Sequence, residues 1–184
     1  MNKNKYYTGI GSRNTPKTIQ FLMKNVSEYL CKNNYILRSG GADGADTAFE
    51  TGCNNINKNC EIYLPWSGFN KNKSKLIVTN QKAFEIAEKY HPYWHNLKQG
   101  AKKLQARNSH QVLGKDLETP SDFLLCYTKN GKGQGGTGQA IRIAKAYNIP
   151  IFDFGIYGDK KDDFEINYNK IKRELYIFLQ NNMK

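Results

Sequence analysis

Tyr6-Tyr7-Thr8-Gly9-Ile10-Gly11-Ser12-Arg13-Asn14-Thr15-Pro16 is the stretch that decides the fold. It starts as a short apolar run, Tyr6 to Ile10, and reads as a β-strand. It breaks at Gly9-Ile10-Gly11. Thr15-Pro16 then reads as an N-cap with proline at the first helical position. Ile19, Leu22, Met23, Val26, Tyr29 and Leu30 follow at helical spacing. A strand, a glycine turn and a helix in that order are one unit of an α/β protein.

The unit recurs along the chain. Tyr35 to Leu37 is a second strand, closed by Ser39-Gly40-Gly41, and a helix runs from Ala45 to about Asn54. Glu61 to Leu64 is a third strand. Phe123 to Tyr127 is apolar without a break, as in a strand buried on both faces. Ile151 to Phe154 is the fifth. Ala140, Ile143, Ala144 and Tyr147 mark a helix between the last two, and Ile171, Leu175, Phe178 and Leu179 mark one at the C-terminus. The expected fold is α/β: a Rossmann-like, mainly parallel sheet of about five strands with helices on both faces. The stretch 66–121 is too long for a simple connection. It reads as a helical insertion in a single domain spanning 1–184. Thr79 would cap one helix there, and a second would span Leu97 to Arg107.

The chain has 184 residues, enough for a real core. No apolar run approaches the ~18 residues that span a membrane, and the N-terminus has no apolar stretch typical of a secretory signal. A cytoplasmic protein is expected. Cys31, Cys53, Cys60 and Cys126 form no C-x-x-C pair, so neither a disulfide framework nor a zinc site is indicated. His91 and His95 lack a third ligand. No metal and no cofactor are expected. Twenty-eight Lys and Arg against 16 Asp and Glu give a formal charge of +12, which favours anionic partners. The abundance of lysine and asparagine throughout accounts for that charge equally well.

Three loops follow strands, and in parallel sheets ligands bind at that edge. Gly11-Ser12-Arg13 offers close backbone approach, a hydroxyl and a guanidinium to a phosphate. Ser39, Gly40, Gly41, Asp43, Gly44 and Asp46 open the second helix. Asp43 or Asp46 could hold a ribose hydroxyl or cap the helix. Glu50 lies one turn beyond Asp46, as an acid–base candidate or a plain surface residue. Gly131 to Gln139 carries five glycines, and Gly135, Gly136, Thr137, Gly138 and Gln139 enter a helix N-terminus that can form an anion nest. It is not a P-loop, since no Gly-Lys-Ser/Thr follows.

Taken together these motifs resemble the DprA/Smf proteins and the related LOG (lysine-decarboxylase-like) proteins, from Tyr7 to about Phe154. Gly11-Ser12-Arg13 matches the DprA turn. Ser39, Gly40, Ala42, Gly44 and Asp46 match its second loop, with Glu50 where histidine is usual. Arg107-Asn108 looks like its arginine-asparagine pair, with Gly114 downstream. The resemblance implies a basic pocket for single-stranded DNA, and a dimer. LOG proteins hydrolyse the N-glycosidic bond of nucleoside monophosphates with a P-G-G-x-G-T-x-x-E motif. Here Gln134 replaces the proline, Gln139 the threonine and Arg142 the glutamate. That reaction would require Glu50 as a substitute. Short stand-alone relatives occur in phage. The leading expectation is a protein that binds a nucleotide-derived phosphate ligand without catalysis. Single-stranded DNA binding and nucleotide hydrolysis are the alternatives.

Overall fold

The computed structural model describes residues 4–57, 60–157 and 164–183. In chain order the elements are β1 (Lys5–Gly11), α1 (Lys17–Lys32), β2 (Tyr35–Ser39), α2 (Ala45–Asn54), β3 (Cys60–Leu64), β4 (Leu76–Ile77), α3 (Gln81–Tyr90), α4 (Gln99–Leu113), β5 (Phe123–Tyr127), α5 (Gly135–Ala146), β6 (Ile151–Asp153) and α6 (Phe164–Asn182). The strands form one parallel sheet in the order β4-β3-β2-β1-β5-β6. The expected α/β Rossmann-like architecture is observed, with six strands rather than about five.

Side chains alternate across the sheet, which gives it two cores. Phe123, Leu125 and Tyr127 of β5 join Tyr7, Leu37 and Phe49 in a cluster shared with α1, α2 and α6. Leu124 and Cys126 point the other way, to Ile10 and the apolar faces of α3, α4 and α5. β1 is central and pairs with β2 on one side and β5 on the other. The chain order therefore reverses direction at β1, and the crevice between the ends of β1 and β5 is the switch point where such sheets take ligands.

The differences from the sequence reading have local causes. β4 has only two residues, too short for any periodicity to show. The helix expected after Thr79 is capped by Asn80, whose side chain accepts from the Lys82 amide. Proline 16 is itself the cap residue of α1, and Thr15 turns back to donate to the Ser12 carbonyl at 2.6 Å. The helix expected to stop at Arg107 continues to Leu113. All nine residues from Gln105 to Leu113 are buried, six of them polar or charged. A helix enclosed on every side carries no amphipathic stripe by which to recognise it. The last strand stops at Asp153, where Phe154–Ile156 tightens into a 3₁₀ turn.

Candidate anion-binding cavity

β1 delivers Gly11, Ser12 and Arg13 to the switch point. The Gly11 register partner on β5 is Tyr127, and the Ser12 amide donates to the Tyr127 carbonyl at 3.1 Å. Ser12 Oγ accepts from the Asn14 amide at 3.1 Å, which leaves its proton to donate outward. Arg13 is exposed at the rim. Beyond β5, the glycine-rich loop is folded by its own chemistry. Gly131, Gly133 and Gly135 take φ values of 64°, 61° and 70°, a region that favours glycine. Gly138 lies so near this loop that a Cβ there would stand 2.1 Å from the Gly133 carbonyl oxygen. Asp153 anchors the loop by accepting from the Thr128 amide at 2.9 Å and from the Thr128 hydroxyl, and Thr128 Oγ1 in turn accepts from the Gly133 amide.

The loop ends in α5, whose N-terminus has no side-chain cap. Its first amides are thus offered to whatever occupies the crevice, at the positive end of the helix dipole. The opposite wall is α4. Arg107 is 6% exposed and reaches the Gly40 carbonyl with Nη1 at 2.6 Å. The same nitrogen stands 3.4 Å from Asp46 Oδ2. Asn108, 2% exposed, donates to Gln105 Oε1 at 3.2 Å and to the Gly136 carbonyl at 3.0 Å. Arg107 Nε and Asn108 Oδ1 are buried without a hydrogen-bond partner. A charged donor left open costs free energy unless a ligand or water meets it.

These groups line one cavity of about 500 Å³. Its walls are Ile10, Gly11, Ser12, Arg13, Ala42, Asp46, Leu104, Gln105, Arg107, Asn108, Tyr127, Thr128, Lys129, Gln134, Gly135, Gly136 and Thr137. Asp46 is the single carboxylate among them. Burial pushes its carboxyl up to about 6, against the opposing pull of the Arg107 guanidinium and of the Ala42 and Gly11 amides. Burial also lowers the Arg107 pKa; Asp46 opposes that and Arg13 adds to it.

The structure thus brings Gly11, Ser12, Arg13, Asp46, Arg107, Asn108, Gly135, Gly136 and Thr137 together. Others from the same motifs build the walls from behind. Ser39 donates to the Gly9 carbonyl at 2.7 Å. A Cβ on Gly40 would stand 1.9 Å from Arg107 Nη1, and one on Gly44 would stand 2.5 Å from the Ser12 and Arg13 carbonyl oxygens. Gln139 is wholly buried, away from the cavity walls, with both amide atoms unpartnered. Gly138 sits beneath the loop.

Glu50, Asp43 and Gly41 do not reach the cavity. Glu50 and Gly41 line a neighbouring one of about 620 Å³. There both Glu50 oxygens accept from Asn72 Nδ2, at 2.9 and 3.0 Å. One helical turn carries Glu50 some 6 Å further along α2 and about 40° around it, enough to move it from one cavity to the next. Asp43 accepts from Asn70 at 3.0 Å. Arg142, at the position of the LOG glutamate, donates to the Tyr90 carbonyl at 2.6 Å and ties α5 to α3.

Sequence reading missed Lys129, Gln105 and Gln134. The position of Lys129, two residues past β5, is the equivalent of Arg13 past β1 and was the available signal. Among the described residues no group of three His, Cys, Asp or Glu could hold a metal ion, and no helix is long and apolar enough to cross a membrane.

Neither a protein-family model nor a curated protein matches the chain. A solved structure of DNA processing protein A from Helicobacter pylori, described for its single-stranded DNA binding mode, is similar to it. The TM-score is 0.55 at 18% sequence identity, over 97% of this chain and 82% of that one. The likeness shows a DprA-like Rossmann fold.

Proposed function

We propose that the chain binds a single strand of nucleic acid by seating a backbone phosphate in the cavity between β1 and β5. One observation carries this reading: the buried Arg107 guanidinium side chain and the uncapped N-terminus of α5 line the same cavity. Both bring positive charge to the same space, which suits an anion. Arg13 and Lys129 at the rim would take the flanking charge. The +12 charge of the chain supports a polyanion as ligand. So does the fold shared with a protein described as binding single-stranded DNA.

A free nucleotide-derived ligand is the second reading. The cavity volume of about 500 Å³ favours it, since that is the size of ordinary small-molecule sites. In it the phosphate keeps its place and Asp46 meets a ribose hydroxyl. Nucleotide hydrolysis has less support. Glu50 is held by Asn72 in another cavity, and Asp46 is committed to Arg107. A dimer, and kinship with the short phage relatives, remain parts of this proposal rather than of the fold.

Fluorescence anisotropy with a labelled ten-residue oligothymidylate tests the first reading. Affinity should fall with salt, at a log–log slope of roughly −2 if three cations each displace a counterion at about −0.7. A mononucleotide that binds as tightly as the strand would instead select the second reading. No binding of either at low salt would refute both.

A further inference from the structure

We propose that Trp66 is a base-stacking platform beside the phosphate cavity. It would take the nucleobase of a nucleotide adjoining the one whose phosphate is seated. The proposal deepens the strand-binding reading and rests on it.

Trp66 follows Pro65 off the end of β3, so it lies on the same edge of the parallel sheet as the cavity loops. It is 39% exposed, whereas the other tryptophan, Trp94, is 6% exposed. Its ring meets Phe69 edge to face, with centroids 5.2 Å apart at 90°. The Arg107 guanidinium stands 5.9 Å from the Phe69 ring centre. An exposed indole is therefore linked through one buried ring to the cation at the cavity wall. A cationic groove flanked by an aromatic face is the composition by which proteins hold single strands, because every base has a π-face.

The loop that carries Trp66 is held in shape from behind. Gly68, Asn70 and Lys71 take φ values of 73°, 50° and 58°. Asparagine tolerates this region, whereas lysine adopts it against a steric cost. Such a conformation persists where its surroundings over-determine it. Here Asn70 donates to the Gly41 carbonyl and to Asp43, both at 3.0 Å, Asn72 grips Glu50, and Ser74 Oγ donates to the Ile62 carbonyl at 2.5 Å. Asp43 and Glu50, which do not reach the cavity, act as struts for this loop. A ring already fixed loses little freedom on stacking. Lys71 and Lys73, exposed on the same loop, supply cations for the next phosphates.

The test compares the wild-type chain with Trp66→Ala and Trp66→Phe, using oligothymidylate of ten residues and an abasic strand of equal length. Trp66→Ala should weaken oligothymidylate binding about tenfold, within the range for loss of one stacked base. Trp66→Phe should stay within about threefold of wild type. The abasic strand should bind wild type about tenfold more weakly than oligothymidylate, and should not distinguish wild type from Trp66→Ala. The wild-type comparison of the two strands holds even if a variant folds poorly. Should Trp66→Ala and the abasic strand both bind at full strength while Arg13→Ala binds weakly, the platform is refuted and the cavity reading survives. Absence of wild-type binding to oligothymidylate would refute both.

Discussion

Replacing Arg107 with methionine removes the charge from the cavity wall and keeps much of the side-chain volume. Asp46, 1% exposed, then loses its cationic partner. Breaking a buried pair from one side costs about 3–5 kcal/mol, a fall in melting temperature on the order of 10 °C for a chain of this size. The loss should depend on pH. In the wild type the Asp46 carboxyl is raised from its ordinary 3.8 to about 6. A raised carboxylate pKa means that the folded state prefers the protonated form. Its penalty is absent below about pH 4, grows as pH rises, and is complete above about 6. The gap corresponds to roughly 3 kcal/mol. Removing Arg107 takes away the largest influence that lowers this pKa, so the upper end of the window moves to higher pH. The deficit of Arg107→Met against wild type should be greatest near pH 8 and smallest near pH 5. Adding Asp46→Asn should recover much of the pH 8 loss, since no buried charge is then left alone. Thermal unfolding of the three proteins at pH 5, 6.5 and 8 measures this. A deficit equal at pH 5 and pH 8, or a double variant no better than the single one, would refute the coupling of these two side chains.

Other outcomes follow from the same geometry. Arg13→Ala should weaken oligonucleotide binding about tenfold with its melting temperature unchanged, because the side chain is exposed at the rim; full affinity in titration calorimetry would remove Arg13 from the site. Gly44→Ala should destabilise the fold by about 2 kcal/mol or more, from its φ of 79° and the carbonyl oxygens 2.5 Å from the new Cβ. Gly100→Ala, in α4 with nothing within 4 Å of the added carbon, should instead stabilise by about 0.5–1 kcal/mol. Denaturant melts of the two glycine variants should move in opposite directions.

Much of this was legible in the sequence where one rule governs one stretch. Phe123 to Tyr127 is unbroken apolar chain because β5 is buried on both faces, and Gly11-Ser12-Arg13 announces a strand ending at a helix. What escaped was set by the partner rather than by the stretch itself. Asn108 to Leu113 lies past the helix end expected at Arg107, yet it is helix, because α3, α5 and the sheet enclose it. Asp46 and Glu50 are equivalent by helical spacing. Arg107 claims one and Asn72 the other, and neither partner adjoins α2 in sequence. Three glycine loops look alike on paper. All three line the cavity, the second through Ala42 and Asp46, while its glycines at 40 and 44 serve to let Arg107 and the 12–13 backbone pass close by.

Arg13, Asp46, Arg107 and Gly136 meet in one cavity although they lie far apart along the chain. No fragment can therefore bind as the whole does, and an occupant would clamp the chain from its first strand to its fifth. By mass action each tenfold excess of free ligand over its dissociation constant would add about 1.4 kcal/mol to the stability of the fold. Ligand identity would then be written in resistance to heat and to proteases, well away from the crevice where the contact is made.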